Sequence, residues 1–147
     1  MNTSNEVLNK ILQGEHMAIE QYQAYIGELT DGPLRNHLTA ILTDHKKHAT
    51  RISYYIQTTG GHAEEGAGFV GIMADWKTRL TNLGEAVPIE ILDRLYDGEN
   101  KGLAQAVQYS EQYLSSAEKE LLDPIFSDEQ DHLKQLQSLR EGHFNNM

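Results

Sequence analysis

A glutamate and a histidine lie three residues apart in the last quarter of the chain, Glu129 and His132. They interrupt an apolar pattern whose spacings of three and four place residues on one face of a helix. Its apolar members are Leu121, Leu122, Ile125, Phe126, Leu133, Leu136 and Leu139. A carboxylate and an imidazole on the buried face of a helix are costly unless a partner compensates for their lost hydration. A metal ion is one such partner, and both side chains are common metal ligands.

The two halves of the chain align without a gap when one is shifted by 84 residues. The shift places Asp44 over Asp128 and His48 over His132, and the apolar positions of the two halves stay in phase. An internal duplication of a helix pair is the simplest account of this alignment. The first half should therefore contribute a ligand-bearing helix that corresponds to the helix of Glu129.

Antiparallel helices bring ligands together only when those ligands lie at one height along a bundle. The same shift places Glu15 over Glu99, and each glutamate precedes its predicted turn, centred on Gly32 or Ser116, by 17 residues. His48 and His132 each follow the turn of their own half by 16 residues. At about 1.5 Å per residue, all of them lie about 25 Å from the turn. The candidate metal ligands predicted to converge in this layer are Glu15, His45, His48, Glu99, Glu129 and His132.

The apolar periodicity and the turn signals predict one domain, residues 1–147, made of four long helices. We place these helices at residues 4–30, 33–58, 88–114 and 116–141. Residues 60–86 form a long connection that is glycine-rich at first and then contains a short helix from Ile72 to Leu83. Pro124 lies inside the last helical pattern. Because proline removes an amide and crowds the preceding turn, we expect it to kink that helix or to separate its first turns.

The composition excludes several classes of protein. With 147 residues, of which 39% are hydrophobic and 23% charged, the chain is a globular domain of ordinary size. Its formal net charge of −10 argues against nucleic acid or an anionic membrane as the main partner. The absence of cysteine excludes disulfides, thiol catalysis, iron–sulfur clusters and cysteine-ligated zinc. No stretch has the pattern of a signal peptide or the length of a membrane span, so we expect a cytoplasmic protein.

Besides Glu129-x-x-His132, the chain contains two further patterns, Gly14-Glu15-x-x-Ala18 and Gly98-Glu99. Together they resemble the ferritin-like superfamily, and its rubrerythrin-like branch in particular. The glycine-rich connection and Trp76 are also similar to a ferritin-like family of unknown function. The resemblance implies a ferritin-like up-down four-helix bundle with a long crossover. It also implies two iron ions, with manganese or zinc as alternatives, in a di-iron oxidoreductase or a ferroxidase that reacts with oxygen or peroxide.

The resemblance also implies roles for the candidate ligands, from which the chain departs at one position. The terminal carboxylates would be Glu15 and Glu99, the bridging carboxylate Glu129, and the nitrogen ligands His48 and His132, with His45 as an optional third. His45 stands where the family pattern has the glutamate of its first Glu-x-x-His. A carboxylate can bridge two cations, whereas a neutral imidazole binds one metal through one nitrogen. Asp44 lies one residue off the apolar stripe and could turn inward as a further carboxylate. A single metal or an asymmetric pair is therefore an alternative to two irons, and any electron donor must be a separate partner.

Two other interpretations of the polar layer stand beside metal-dependent turnover. The protein could bind or store metal without turnover, or the layer could be metal-free and fix the register of a helical interaction module. Tyr22 and Tyr55 lie on the same helical faces as Glu15 and His48, and we expect them to pack in the core, with a hydrogen bond to a ligand as the alternative. The outward faces of the helices show no second apolar seam, so we expect a monomer or a homodimer.

Overall fold

The computed structural model describes residues 3–64 and 88–145. These residues form four helices, α1 (Thr3–Glu28), α2 (Gly32–Thr58), α3 (Pro88–Tyr113) and α4 (Ser116–Asn145), and contain no strand. The predicted all-helical fold is therefore confirmed. The predicted short helix from Ile72 to Leu83, with Trp76, lies outside the described residues. None of the four helices contains a long apolar stretch of the kind that crosses a membrane.

The four helices pack as a bundle in which each helix has two principal neighbours. α1 packs against α2 and α3, and α4 packs against α3 and α2. Leu8, near the start of α1, shares an apolar cluster with Ala106, which lies late in α3. Tyr22, late in α1, shares the other cluster with Ile91 at the start of α3. α1 and α3 therefore run antiparallel, and α2 and α3 lie diagonally across the bundle.

The apolar core is divided into two clusters that lie on either side of a polar layer. One cluster includes Leu8, Leu12, Ile52, Leu122 and Ile125. The other includes Tyr22, Tyr25, Ile41, Ile91, Leu95 and Leu136. On α1, Glu15 lies between Leu12 of the first cluster and Tyr22 of the second. Because apolar side chains shield this layer from water at both ends, its polar groups need partners within the protein.

Side-chain hydrogen bonds fix the turn between α1 and α2. Asp31 caps the start of α2, because its Oδ1 accepts a hydrogen bond of 2.9 Å from the Leu34 amide. Arg35 Nη1 donates to the carbonyl oxygens of Ile26 and Leu29 at 2.8 and 2.7 Å. These two carbonyls belong to the last turn of α1 and the residue after it, where the helix supplies no amide donor. Side-chain hydrogen bonds thus support both helix ends at the α1–α2 turn.

The turn between α3 and α4 uses Glu118 as its acceptor. The Ser115 amide donates to Glu118 Oε1 at 3.4 Å, and the Ser115 hydroxyl donates to Glu118 Oε2. Tyr55 of α2 donates to the same Oε2 at 3.1 Å. Ser115 and Glu118 thereby form the reverse half of a capping box, and Tyr55 links this turn to α2.

Pro124 does not separate the first turns of α4, because the helix is continuous from Ser116 to Asn145. That part of the expectation from sequence was wrong. Leu122 and Ile125 beside the proline are fully buried and hold both sides of it against the core. Pro124 itself is exposed, as is Glu120, whose carbonyl loses its helical donor and can bind water instead.

Candidate metal centre

All four helices contribute to one buried polar layer. Glu15 comes from α1, His45 and His48 from α2, Glu99 from α3, and Glu129 and His132 from α4. Each of these six residues is between 1% and 7% exposed. The structure thus brings together every candidate ligand that the sequence predicted. Six ionisable side chains in such a dry environment are stable only when their charges are paired.

The ligand atoms divide into two groups that share one residue. The first group contains Glu15, His45, His48 and Glu129, and the second contains His45, Glu99 and His132. Within each group the ligand atoms lie within 4.8 Å of one another, which is close enough for a single cation to contact all of them. His45 belongs to both groups, and it holds the position that the glutamate occupies in the second half of the repeat.

His45 lies between two carboxylates. Its Nδ1 is 2.6 Å from Glu15 Oε2, and its Nε2 is 2.9 Å from Glu99 Oε2. Burial alone would lower the pKa of His45, but the hydrogen bonds to Glu15 and Glu99 outweigh that effect and raise the pKa to about 10. In the metal-free protein His45 is therefore an imidazolium that donates to both carboxylates.

Glu15 and Glu129 behave as a pair that shares one proton. Burial, together with the neighbouring Glu15 carboxylate, raises the pKa of Glu129 to about 12. Burial would also raise the pKa of Glu15, but the hydrogen bonds with Glu129 and His45 and the nearby His48 ring lower it well below its usual range. The proton therefore stays on Glu129, which donates to Glu15. Two carboxylates this close need a proton or a cation between them.

Two aspartates connect the halves of the repeat across the bundle. Asp128 Oδ2 lies 2.8 Å from His48 Nε2, and Asp44 Oδ2 lies 2.9 Å from His132 Nε2. The aspartate of each half thus binds the histidine of the other half. The aspartate side chains are about half exposed, at 53% for Asp128 and 41% for Asp44, so each joins a buried imidazole to the surface. The inward turn of Asp44 was one alternative from the sequence, whereas the contact of Asp128 was not predicted, although the repeat aligns the two aspartates.

The inner nitrogens of these two histidines have different surroundings. His132 Nδ1 is 2.7 Å from Glu99 Oε1. His48 Nδ1 is buried and has no hydrogen-bond partner among the residues that the structure describes. It lies 3.7 Å from Glu15 Oε1 and 3.9 Å from Glu129 Oε1, which is too far for a hydrogen bond. Burial would lower the pKa of His48, but the nearby Glu15 and Asp128 carboxylates raise it.

The two tyrosines of the sequence analysis have different roles. Tyr22 is fully buried and donates a hydrogen bond of 3.0 Å to Glu99 Oε2. The hydrogen bond to a candidate ligand, which was the alternative to simple core packing, is therefore the one observed. Burial and the Glu99 carboxylate raise the pKa of the Tyr22 hydroxyl well above its usual value, which keeps it a donor. Tyr55 donates a hydrogen bond to Glu118 at the end of the bundle and packs against the cluster that contains Leu8 and Ile52.

A cavity of about 560 Å³ opens between α1 and α3 and reaches the polar layer. Glu15, His45, Glu99 and Glu129 line its inner end. Its walls contain small residues at the helical spacing of four, and the cavity exists because these positions carry little or no side chain. The small residues are Gly14 and Ala18 on α1, and Gly98, Gly102 and Ala106 on α3.

The donor set fits a transition metal. Three carboxylates and three imidazoles, without sulfur, suit iron, manganese or zinc. The buried Nδ1 of His48 has the lone pair and the position of a metal ligand, and Asp128 holds its other nitrogen as the partners of metal-binding histidines do. The cluster of buried glutamates and histidines could therefore hold a metal ion.

Residues 3–112 match a family described as a domain of unknown function (DUF2383). The chain belongs to this family. The match includes Glu15, His45, His48 and Glu99 and ends before α4, so Glu129 and His132 lie outside the matched residues of the DUF2383 domain. No ferritin or rubrerythrin family model matches, although the helical bundle is compatible with a ferritin-like fold. No curated protein and no solved structure matches the chain significantly.

Proposed function

We propose that this DUF2383 protein is a ferritin-like metal-binding protein whose polar layer binds iron, with manganese or zinc as alternatives. The main support for the proposal is the hydrogen bonding of the two His48 ring nitrogens. Its Nδ1 is buried without a hydrogen bond, while Asp128 holds its Nε2 at 2.8 Å. A buried donor or acceptor without a partner costs about 1–3 kcal/mol, and a cation bound by the neutral His48 ring between Glu15 and Glu129 removes that cost.

The charges around the cluster support the same proposal. Four carboxylates, those of Glu15, Glu99, Asp44 and Asp128, contact the three buried histidines. A divalent cation in the layer would be attracted by these groups and would replace the proton that Glu129 now holds against Glu15. The overall net charge of −10 favours the approach of cations to the protein.

We extend the proposal to reaction with oxygen or peroxide, as the ferritin-like resemblance implies. Bound ferrous iron would supply the electrons for such a reaction. The chain's own contribution is to present Glu15, Glu99 and Glu129 at the inner end of the α1–α3 cavity while apolar clusters close the layer on both sides. The cavity volume of about 560 Å³ admits small oxidants and hydrated metal ions.

The test of metal binding is elemental analysis of the purified protein before and after anaerobic loading with ferrous iron. We expect bound metal in the unaltered protein and its loss in the double variant Glu129→Ala/His132→Ala. The matched control is Glu120→Ala/His37→Ala, which removes an exposed glutamate and an exposed histidine and should keep full metal content. Full metal content in the first double variant would show that the cluster is not the site. Oxygen-dependent oxidation of the bound iron then tests turnover.

One observation favours a second candidate, a metal-free bundle that acts as a structural or interaction module. Hydrogen bonds to carboxylates already engage both ring nitrogens of His45 and His132 and one of His48. Such a layer would fix helix register without any ion. If no divalent transition metal changes the melting temperature, this candidate is the correct one.

A further inference from the structure

The histidine at position 45 makes the two halves of the site unequal. The repeat places His45 over Glu129. A glutamate at that position could give one oxygen to each of two cations, but a neutral imidazole has a single lone pair for one cation. The Nδ1 of His45 lies on the side of Glu15, and its Nε2 lies on the side of Glu99. If Nδ1 binds a cation, Nε2 keeps its hydrogen and donates it to Glu99.

We infer that the chain binds one divalent metal ion, held by Glu15, His45, His48 and Glu129, and that Glu99 is a positioning residue rather than a ligand. This inference rests on the proposed metal binding and specifies its stoichiometry and ligands. Four donors complete a site of the kind that zinc, and iron or manganese with added water, accept. Without His45, the second group keeps two donors, Glu99 and His132.

The hydrogen bonds of Glu99 support its role as a positioning residue. Its Oε2 faces His45 Nε2 at 2.9 Å and accepts from the Tyr22 hydroxyl at 3.0 Å. Its Oε1 faces His132 Nδ1 at 2.7 Å. Both oxygens are therefore committed to partners within the protein. Glu99 thus fixes the orientation of His45, as the hydrogen-bonding partner of a ligand does.

The surroundings of Glu15 and Glu99 also differ, and they favour Glu15 as the metal ligand. The repeat places Ala106 at the position that corresponds to Tyr22. Tyr22 fills the space beside Glu99 and bonds to it, whereas Ala106 leaves open space that belongs to the cavity beside Glu15. A cation entering through this cavity finds the unbonded Nδ1 of His48 only on the side of Glu15 and Glu129.

The test is the stoichiometry of Zn²⁺ binding, measured by titration calorimetry and elemental analysis. We expect one equivalent per chain. His45→Glu restores a carboxylate at the shared position and should raise the value to two equivalents. Two equivalents in the unaltered protein would overturn the inference but leave the proposed metal binding intact. Absence of any metal would overturn both, so the two failures can be distinguished.

Variants of Glu15 and Glu99 test whether each is a ligand or a positioning residue, independently of the His45→Glu result. Glu15→Gln should abolish binding. Glu99→Gln still accepts a hydrogen from His45 and should keep one equivalent with an affinity lowered about 10- to 100-fold, whereas Glu99→Leu should weaken it further. With Co²⁺, Glu99→Gln should keep the four-coordinate visible bands, slightly shifted. Loss of these bands in Glu99→Gln, with binding retained in Glu15→Gln, would show that Glu99 is the ligand and overturn the inference.

Discussion

At the scale of single residues, the contacts across the repeat determine which histidine nitrogen faces the centre. Asp128 holds His48 Nε2, and Asp44 holds His132 Nε2, so the Nδ1 atom of each histidine points toward the buried carboxylates. A carboxylate on the outer nitrogen orients the ring and makes the inner nitrogen a stronger donor to metal. The half-exposed aspartates thus act on a buried site without belonging to it.

This arrangement predicts a large effect of Asp128→Ala on metal binding and a small effect on the fold. The affinity for Zn²⁺ should fall about 10- to 100-fold, because His48 loses the partner that fixes its ring. Circular dichroism should be unchanged, since the Asp128 side chain is 53% exposed. Asp131→Ala removes an exposed carboxylate from the same helix and is the control. Equal affinities of the two variants would exclude a role for the Asp128–His48 contact.

Some features of the site could be predicted from the sequence and others could not. The six candidate ligands could be found because buried carboxylates and imidazoles interrupt apolar stripes, and because helical rise fixes their height. The sequence offered an inward Asp44 and a hydrogen-bonded Tyr22 only as alternatives, and it gave no partner for Asp128, because these contacts depend on side-chain rotamers and on the rotation of neighbouring helices. The position of His45 between Glu15 and Glu99 could not be predicted for the same reason, since residue spacing does not determine where each ring nitrogen points.

At the scale of the helices, small residues create the route to the polar layer. A Cβ atom built on Gly14 or Gly102 would meet no atom within 4 Å, so neither glycine is required for close packing of α1 and α3. A Cβ on Gly98, in contrast, would lie 3.0 Å from the Gln21 side chain. The repeat places Gly14 over Gly98 and Ala18 over Gly102, so both halves contribute small residues to the cavity.

Two substitutions at Gly102 should separate helix stability from access to the site. Gly102→Ala should stabilise the fold by about 1 kcal/mol, because alanine is the better helix former and space is available. Gly102→Leu should narrow the cavity and slow Co²⁺ uptake in stopped-flow measurements while the final stoichiometry stays the same. Gly142→Leu, at an exposed glycine of α4 that does not line the cavity, is the control. Equal uptake rates in both leucine variants would mean that metal enters by another path.

Apolar periodicity predicted the four helices because their stripes are long and their turns carry clear signals, Asp31 before Pro33 and Ser115 before Glu118. The single helix predicted at residues 116–141 is present, but the separation of its first turns, one of the two effects expected of Pro124, is absent for a physical reason. Proline weakens a helix locally because it removes an amide hydrogen-bond donor. The burial of Leu122 and Ile125 on either side stabilises the helix more than the proline destabilises it. Tertiary packing therefore overrode the local signal.

At the scale of the whole molecule, metal binding should stabilise the entire bundle. The four inferred ligands, Glu15, His45, His48 and Glu129, come from α1, α2 and α4, and Glu99 of α3 positions His45, so an ion in the layer connects helices that are distant in sequence. Free Zn²⁺ at 100 times its dissociation constant adds about 2.7 kcal/mol to the free energy of unfolding. For a chain of this size, that corresponds to a rise of about 5–10 °C in the melting temperature.

We expect this rise with Zn²⁺ and Mn²⁺ but not with Mg²⁺, because Mg²⁺ prefers oxygen ligands and the proposed site contains two histidines. Thermal denaturation followed by circular dichroism measures it. Treatment with a chelator should reverse the rise, and Glu129→Ala/His132→Ala should abolish it. An equal rise with Mg²⁺ would indicate general screening of the net charge of −10 rather than binding in the layer. A rise that persists in the double variant would place the bound metal outside the polar layer.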